Sequence, residues 1–341
     1  MLLAGACSAD EGRAPLATEG TTPALPSGLP TDATTATSAA PTANPGDIVI
    51  HAVGDVMLST AFADVEPDFS DLLSDMGGLF TTDDLTIANL ECPVAESGEP
   101  IPERPFALRC DVAGLEPLAN AGVDVVNVAN DATGDYGVEA QAETIERAEA
   151  AGLTVIGTDA DPAIVQLGPH TAALFGFSVV GPDATDAAAI TAAIRAEADN
   201  DLVLVSIHWG EPEDRDPNPS EVDLAEQLVN AGADAVYGHG PHRLQSLRQI
   251  QNRWVAFSLG HFVWPLNNPN DPDSTVALTT VTPDGRIASC LLPATIRTDG
   301  RPALDRPDAG CDVAAEAALG SPSTTVPPTS GPSTAPTTSD G

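Results

Sequence analysis

Ala231-Gly232-Ala233-Asp234-Ala235-Val236-Tyr237-Gly238-His239-Gly240-Pro241-His242 compresses a helix end, a short strand and a polar turn into one stretch. The Ala-Gly pair closes the helical pattern Ser220 to Ala231, since glycine readily takes the left-handed conformation that ends a helix. Asp234 to Tyr237 then reads as a short strand. It runs into a turn that brings His239 and His242 together, which is costly unless the two imidazoles share a proton or an ion.

The same pattern recurs along the chain. Apolar runs Ile48 to Val53, Leu85 to Ala88, Val123 to Ala129 and Leu202 to Ile207 each end in polar residues: Gly54-Asp55, Asn89-Leu90-Glu91, Asn130-Asp131 and His208-Trp209-Gly210. Helical stretches are expected between them at Asp68 to Met76, Val112 to Ala121, Val138 to Ala151, Thr185 to Ala198 and Ser220 to Ala231, the last opened by a capping box of Ser220 and Asp223. Two more helices close on Ala121-Gly122 and Ala151-Gly152. After His242 the runs crowd together: Leu244 to Ile250, Trp254 to Leu259, Thr275 to Val281 and Ile287 to Leu292. Gln251-Asn252 and Thr282-Pro283-Asp284-Gly285 read as hairpin turns, so this part is mainly antiparallel. Strands alternating with helices make an α/β domain.

Composition sets its limits. Residues 1–46 and 313–341 are dominated by Thr, Pro, Ser, Ala and Gly and lack the large apolar side chains that offset the entropy of ordering. The folded domain is therefore expected at 47–312, about 265 residues, near the upper limit for a single core. Asp and Glu number 50 against 13 basic residues, all arginine, for a formal net charge of -37. Such a field repels nucleic acid and anionic lipid and favours cations, though a solvated acidic surface also serves solubility alone. No apolar run is long enough to span a bilayer.

Of five cysteines, Cys7 lies in Leu3-Ala4-Gly5-Ala6-Cys7-Ser8, which resembles a bacterial lipobox. The stretch lacks the basic region and long apolar run of a signal peptide. Cys7 is thus either a lipid attachment site on a chain that starts further upstream, with the Thr/Pro/Ser segment as tether, or an ordinary thiol. Lipid on Cys7 would be the one link to a membrane and would place the domain outside the cytoplasm as a lipoprotein. The other four allow three pairings; Cys92 with Cys110 and Cys290 with Cys311 are expected because both loops are short.

Ligands of open α/β sheets gather beyond the carboxyl ends of the strands. Those ends present Asp55, Asn89, Glu91, Asn130, Asp131, His208, His239 and His242. Taken singly, Asp55 caps a turn, Asn89 and Glu91 bond loose amides, and His208 is a core histidine. Together, carboxylates and imidazoles suit Zn, Mn or Fe. Two such ions about 4 Å apart can activate water and clamp a phosphoryl oxygen.

Several segments carry a resemblance: Gly54-Asp55-Val56-Met57-Leu58, Ala88-Asn89-Leu90-Glu91-Cys92-Pro93, Asp135-Tyr136-Gly137, His208-Trp209-Gly210, the stretch 231–242 and Phe257-Ser258-Leu259-Gly260. In this order the chain resembles the CapA family of bacterial capsule, or poly-γ-glutamate, synthesis proteins. The resemblance implies a four-layer αββα sandwich like that of calcineurin-like metallophosphatases, facing outward from a membrane. It also implies a role in making or exporting an anionic polymer. Asp55, Glu91, His208, His239 and His242 match the family's metal-site positions.

Three departures qualify it, one being that the family's Glu-Tyr shortly after His-Trp-Gly is absent, since Pro212-Glu213 stands there. The family's Asn-Asn-His becomes Asn130-Asp131-Ala132, which removes a histidine whose proton transfer is worth about 100-fold to 10,000-fold. Its Ser-Leu-Gly-Asn-Phe becomes Ser258-Leu259-Gly260-His261-Phe262, so His261 stands as a replacement proton donor. The expectation is a divalent metal held by Asp55, Asn89, Glu91, Asp131, His208, His239 and His242, with His208 and His261 as catalytic candidates. The alternative is a non-catalytic assembly or polymer-binding factor with a degenerate site. Partners on either reading are an anionic capsule polymer or its synthesis and export machinery. A strongly acidic domain repels such a polymer unless cations or an arginine patch intervene, and Arg243, Arg248 and Arg253 are the candidates.

Overall fold

The structure, a computed structural model, describes residues 45–59, 69–102, 107–181, 184–264 and 272–305. Their strands are Ile48–Val56 (β1), Leu85–Leu90 (β2), Val125–Asn127 (β3), Thr154–Ile156 (β4), Ala163–Leu167 (β5), His170–Ser178 (β6), Leu202–His208 (β7), Ala235–His239 (β8), Leu247–Ile250 (β9), Arg253–Ala256 (β10), His261–Val263 (β11), Asp273–Val281 (β12), Ile287–Ile296 (β13) and Pro302–Leu304 (β14). The helices are Leu115–Asn120 (α1), Gly137–Ala150 (α2), Ala187–Ala196 (α3) and Pro219–Ala231 (α4). All belong to one compact unit. The tails, Cys7 and Cys311 lie outside the described residues, as does the expected boundary at 312.

Two sheets form. One runs β14-β13-β12-β1-β2-β3-β4 with β11 beside β1, the other β5-β6-β7-β8-β10-β9. β1 to β4 pair in parallel, as do β6, β7, β8 and β10, while β12 to β14 add an antiparallel wing. Side chains of a strand alternate between faces, and the burial follows that rule. Ile48, Ile50, Leu85, Ile87, Leu202, Leu204, Ala235 and Tyr237 join one apolar cluster between the sheets. Their neighbours Ala88, Leu90 and Val126 pack outward with Leu115, Leu118 and Ala148 of α1 and α2. Val203, Val205 and Val236 pack outward with Ile190, Ile194, Leu224 and Leu228 of α3 and α4. Three apolar seams between helices, sheet, sheet and helices make the four-layer αββα sandwich that the sequence implied.

β1 breaks its own alternation once. Ala52 faces Ile87 and Asp55 faces Asn89, so β1 spends one residue more than β2 over this interval. Such a bulge reverses which face the following residues meet. Val53 and Val56 both point to the helix side as a result. Asp55, between them in the new phase, turns toward the second sheet. Glycine is required at the bulge, because a Cβ on Gly54 would lie 1.9 Å from the backbone oxygen of Gly260.

Several expectations need correction. The helix from Asp68 to Met76 is two short 3-10 turns, Phe69–Asp71 and Ser74–Met76, ended by Gly77 and Gly78 at positive φ; residue 68 lies outside the described residues. The span 112–121 starts as a 3-10 turn before α1. The cap of α4 is Asn218 with Glu221, since Pro219 fills the first helical position and places the cap two residues upstream of the expected Ser220. β6 was missed because Ala172, Ala173 and Gly176 are poor strand formers in isolation, and neighbouring strands supply the context. Both expected hairpins form, β9 to β10 and β12 to β13. Cys92 and Cys110 are joined, with Cα atoms 5.7 Å apart. No helix among the described residues is long and apolar enough to cross a membrane.

Candidate metal centre

The strand phase that fills the middle layer also aims the polar ends. Asn89 and Glu91 continue the inward series of Leu85 and Ile87. Ser206 and His208 continue that of Leu202 and Leu204, and His239 that of Ala235 and Tyr237. The bulge adds Asp55. All of these side chains are buried, and they meet where the two sheets leave off. His242 follows the turn at Gly240-Pro241 with φ of 57°, and a Cβ on Gly240 would lie 2.1 Å from the Trp209 carbonyl.

Asp55 is the hub. His242 Nδ1 lies 2.9 Å from Asp55 Oδ2, a hydrogen bond of ordinary length. Nδ1 of His261 and of His239 stand 3.4 and 3.6 Å from the same carboxylate without making one. On the neighbouring lobe, His208 places Nδ1 3.5 Å from Glu91 Oε2 and Nε2 3.3 Å from Asp131 Oδ1. Asn89 ties the lobes together: its amide donates to Asp55 Oδ1 at 2.9 Å and to Glu91 Oε2. Asn130 in turn donates to Asn89 Oδ1 at 3.1 Å, while its own oxygen accepts from Thr133, so it positions the site from behind.

Among the described residues, two groups bring ligand atoms within 4.8 Å of one another: Asp55, His242 and His261, and Glu91, Asp131 and His208. The spacings are informative. Bonds of about 2.1 Å to a tetrahedral ion place neighbouring ligand atoms about 3.4 Å apart. The His261–Asp55 contact at 3.4 Å matches that edge, as does one of the two His208 contacts, since a single ion takes only one imidazole nitrogen, and all are long for hydrogen bonds. Nδ1 of His208, His239 and His261 are buried with no hydrogen-bond partner. Buried nitrogens in that condition are costly unless something binds them, so the residues present fit divalent ions.

The electrostatics agree. Burial pushes the Asp55 carboxyl up, but the imidazoles of His239, His242 and His261 outweigh it and hold it well below the usual carboxylate range. Burial, together with the charges of Asp55 and Asp131, drives Glu91 well above its ordinary value. Burial lowers His239 and His261, whereas on His242 it is overcome by Asp55, which raises that residue. Neighbouring carboxyls pushed in opposite directions are what like charges produce when they share a buried site.

A cavity of about 180 Å³ opens over the second group, lined by Asp131, His208, Glu211, Gly240 and His242 among others. Beside it a groove of about 460 Å³ follows Asn130, Asp131, Gly157, Asp159 and Ser178. Among the described residues no arginine lines either. The three arginines considered for a polymer patch are engaged elsewhere: Arg243 with Glu213, Arg253 with Asp234 at 3.1 Å, and Arg248 with Ser246 and over the Phe257 ring.

The residues expected at the site lie together at the sheet junction, but Asn89 and His239 fall in neither three-ligand group, and His261, expected as a proton donor, stands among the ligand atoms of one. Ala132, where the family carries histidine, is buried next to Asp131. Two participants were missed. Ser206 Oγ lies 3.1 Å from His239 Nε2, and its place two residues before His208 was a legible signal. Trp264 stacks on His261 with ring centres 3.6 Å apart, which nothing in the strand pattern announced.

The family model described as bacterial capsule synthesis protein PGA_cap matches residues 49–265. The chain is 26% identical over 235 residues to the PGA biosynthesis protein CapA of Bacillus subtilis strain 168, covering 62% of each protein. It is 30% identical over 185 residues to the capsule biosynthesis protein CapA of Bacillus anthracis, covering 48% of this chain and 45% of that one. A probable polyglutamine synthesis accessory protein of Mycobacterium tuberculosis is 23% identical over 213 residues, covering 54% and 56%. The chain thus spans less than two thirds of the length of these relatives. Among solved structures, a hypothetical protein from Thermus thermophilus is similar at a TM-score of 0.50 and 16% identity, over 72% of this chain and 99% of that one; it bears on the fold alone.

Proposed function

The chain belongs to the bacterial capsule synthesis protein family PGA_cap, within the metallophosphatase-like superfamily, and from that premise we propose that it serves the synthesis or export of an anionic surface polymer through a two-ion hydrolytic centre. The observation that carries this reading is the pair of three-ligand groups, each drawing on both sheets at their junction. Divalent ions, when bound, supply Lewis acidity to a phosphoryl or carbonyl oxygen and ready a water for attack at neutral pH. The chain's own residues do the remaining work. Asp55, His242 and His261 would hold one ion and Glu91, Asp131 and His208 the other, with His239 backing Asp55. Asn89 fixes both carboxylates, and Asn130 fixes Asn89.

Substrate polarity follows from the cavities. With no arginine at the site and acidic walls, a polyanion is repelled until cations offset Asp131, Glu211 and Asp159. Metal ions would therefore govern both binding and chemistry. The substrate class is a phosphoester or an amide-linked surface polymer. The Cys92–Cys110 disulfide supports an extracytoplasmic, oxidising location, and a lipid on Cys7 would supply the tether.

One observation favours a second reading, a polymer-binding or assembly factor without turnover: Ala132 offers no proton to a leaving group. Elemental analysis and a generic phosphodiester assay on the wild type, His208→Ala and Ala132→His separate the two. Hydrolysis lost in His208→Ala supports the hydrolase. Metal retained with turnover appearing only in Ala132→His points to the binding factor, and protein free of metal after purification without chelator sinks the hydrolase and leaves the binding factor.

A further inference from the structure

The two ligand groups are unequal, and the inequality is made by one residue. His261 enters beside Asp55 from β11, which pairs with β1 at Asp55 itself. Its Nδ1 has no hydrogen-bond partner and lies 3.4 Å from Asp55 Oδ2, beside His242 Nδ1 at 2.9 Å from the same oxygen. The rings of His261 and His242 stack at 5.0 Å, and Trp264 closes over His261 at 3.6 Å. Packing of that kind fixes the imidazole plane, as a ligand needs. It is a poor arrangement for a proton donor, whose tip must be free to meet a leaving group.

We infer that His261 is a metal ligand, and that it makes the Asp55–His242–His261 locus a nitrogen-rich zinc site beside an oxygen-rich Glu91–Asp131–His208 site that takes manganese. The inference rests on the metal-centre reading above and goes past it in assigning a different ion to each locus. Two imidazoles and one carboxylate suit a borderline-soft ion held tetrahedrally, whereas two carboxylates and one imidazole suit a harder ion with room for further oxygen ligands. The cavity of about 180 Å³ beside Asp131 and His208 provides that room at the second locus, while Trp264 narrows the first.

The test dialyses the ion-free full chain against limiting zinc with manganese in large excess, because zinc binds nitrogen and oxygen ligands more tightly than manganese at equal supply, and counts both by elemental analysis, with manganese also read by electron paramagnetic resonance. The wild type should retain one zinc and one manganese. His261→Asn restores the family's residue at a half-buried position and should keep its melting temperature within a few degrees. It should lose zinc affinity by tenfold or more, in the range typical for weakened metal sites, and keep manganese. Asp131→Asn should do the reverse. Trp264 fluorescence should respond to zinc in the wild type and not in His261→Asn. Zinc affinity unchanged in His261→Asn, or two ions of one kind at both loci, overturns the inference while leaving a metal centre in place. No retained ion of either kind removes the centre and the inference together.

Discussion

The two sheets divide the ligands by chemistry. The first brings carboxylates and an amide, Asp55, Asn89, Glu91 and Asp131; the second brings imidazoles, His208, His239 and, on the turn after it, His242. Neither set is comfortable alone, since the buried carboxylates of Asp55 and Glu91 and the partly exposed one of Asp131 repel one another, and buried imidazoles lack partners. Opposed across the middle layer, each offsets part of the other's cost. His261 is the exception, an imidazole on the acidic sheet. The lesson is that this site belongs to the joint between the sheets, so changes that loosen one sheet should be felt by ligands on the other.

The strongest test strikes the acidic sheet at its bulge. Gly54→Ala forces a Cβ to 1.9 Å from the Gly260 carbonyl, backbone against backbone. A loss of more than about 3 kcal/mol, or failure to fold, is expected in chemical denaturation. Next comes the crosslink: Cys92→Ser opens a loop of 18 residues' separation and should cost about 3 kcal/mol by urea unfolding. A smaller change would leave the acidic sheet less dependent on this bond than the geometry suggests.

Removing His242 as His242→Ala takes a charge-assisted hydrogen bond from buried Asp55 and should cost about 2 kcal/mol in ion-free protein. Hydrogen exchange should then quicken at β1 as well as at the turn; an effect confined to the turn would break the idea of a shared joint. The gentlest test is pH. Glu91 has a folded value raised above its ordinary 4.5, so its contribution is complete below that value and is lost as pH rises through the folded one. Asp55, held low, contributes above its ordinary value of 3.8 and loses this as pH falls through its depressed folded value. Stability of ion-free protein, measured by denaturation across pH, should therefore decline on the alkaline side of 4.5 through Glu91, and added divalent ion should erase that decline by taking the proton's place.

Much of this was legible in the residues. Inward phase read from Leu202, Leu204, Ser206 and His208 aims the histidine without coordinates, and Leu85, Ile87, Asn89 and Glu91 do the same for the carboxylate. The Asn218 cap and β6 escaped because their signals are contextual: a proline displaced one, and alanine-rich sequence hid the other until flanking strands supplied its pairing. Asp55 was named as a ligand from its place at a strand end, yet strict alternation from Ile48, Ile50 and Ala52 would have turned it to the helix layer. His261 was noticed as a departure, but only its contacts with Asp55 and Trp264 show what it faces.

That surplus residue in β1 also bears on how such a domain can drift. Loops on its rim can lengthen or shorten through generations at little cost. Within Ile48 to Asp55, a single-codon deletion would keep every residue's character and still turn the carboxylate toward the helices. Lineages carrying this centre should therefore show length variation almost everywhere except across these eight positions.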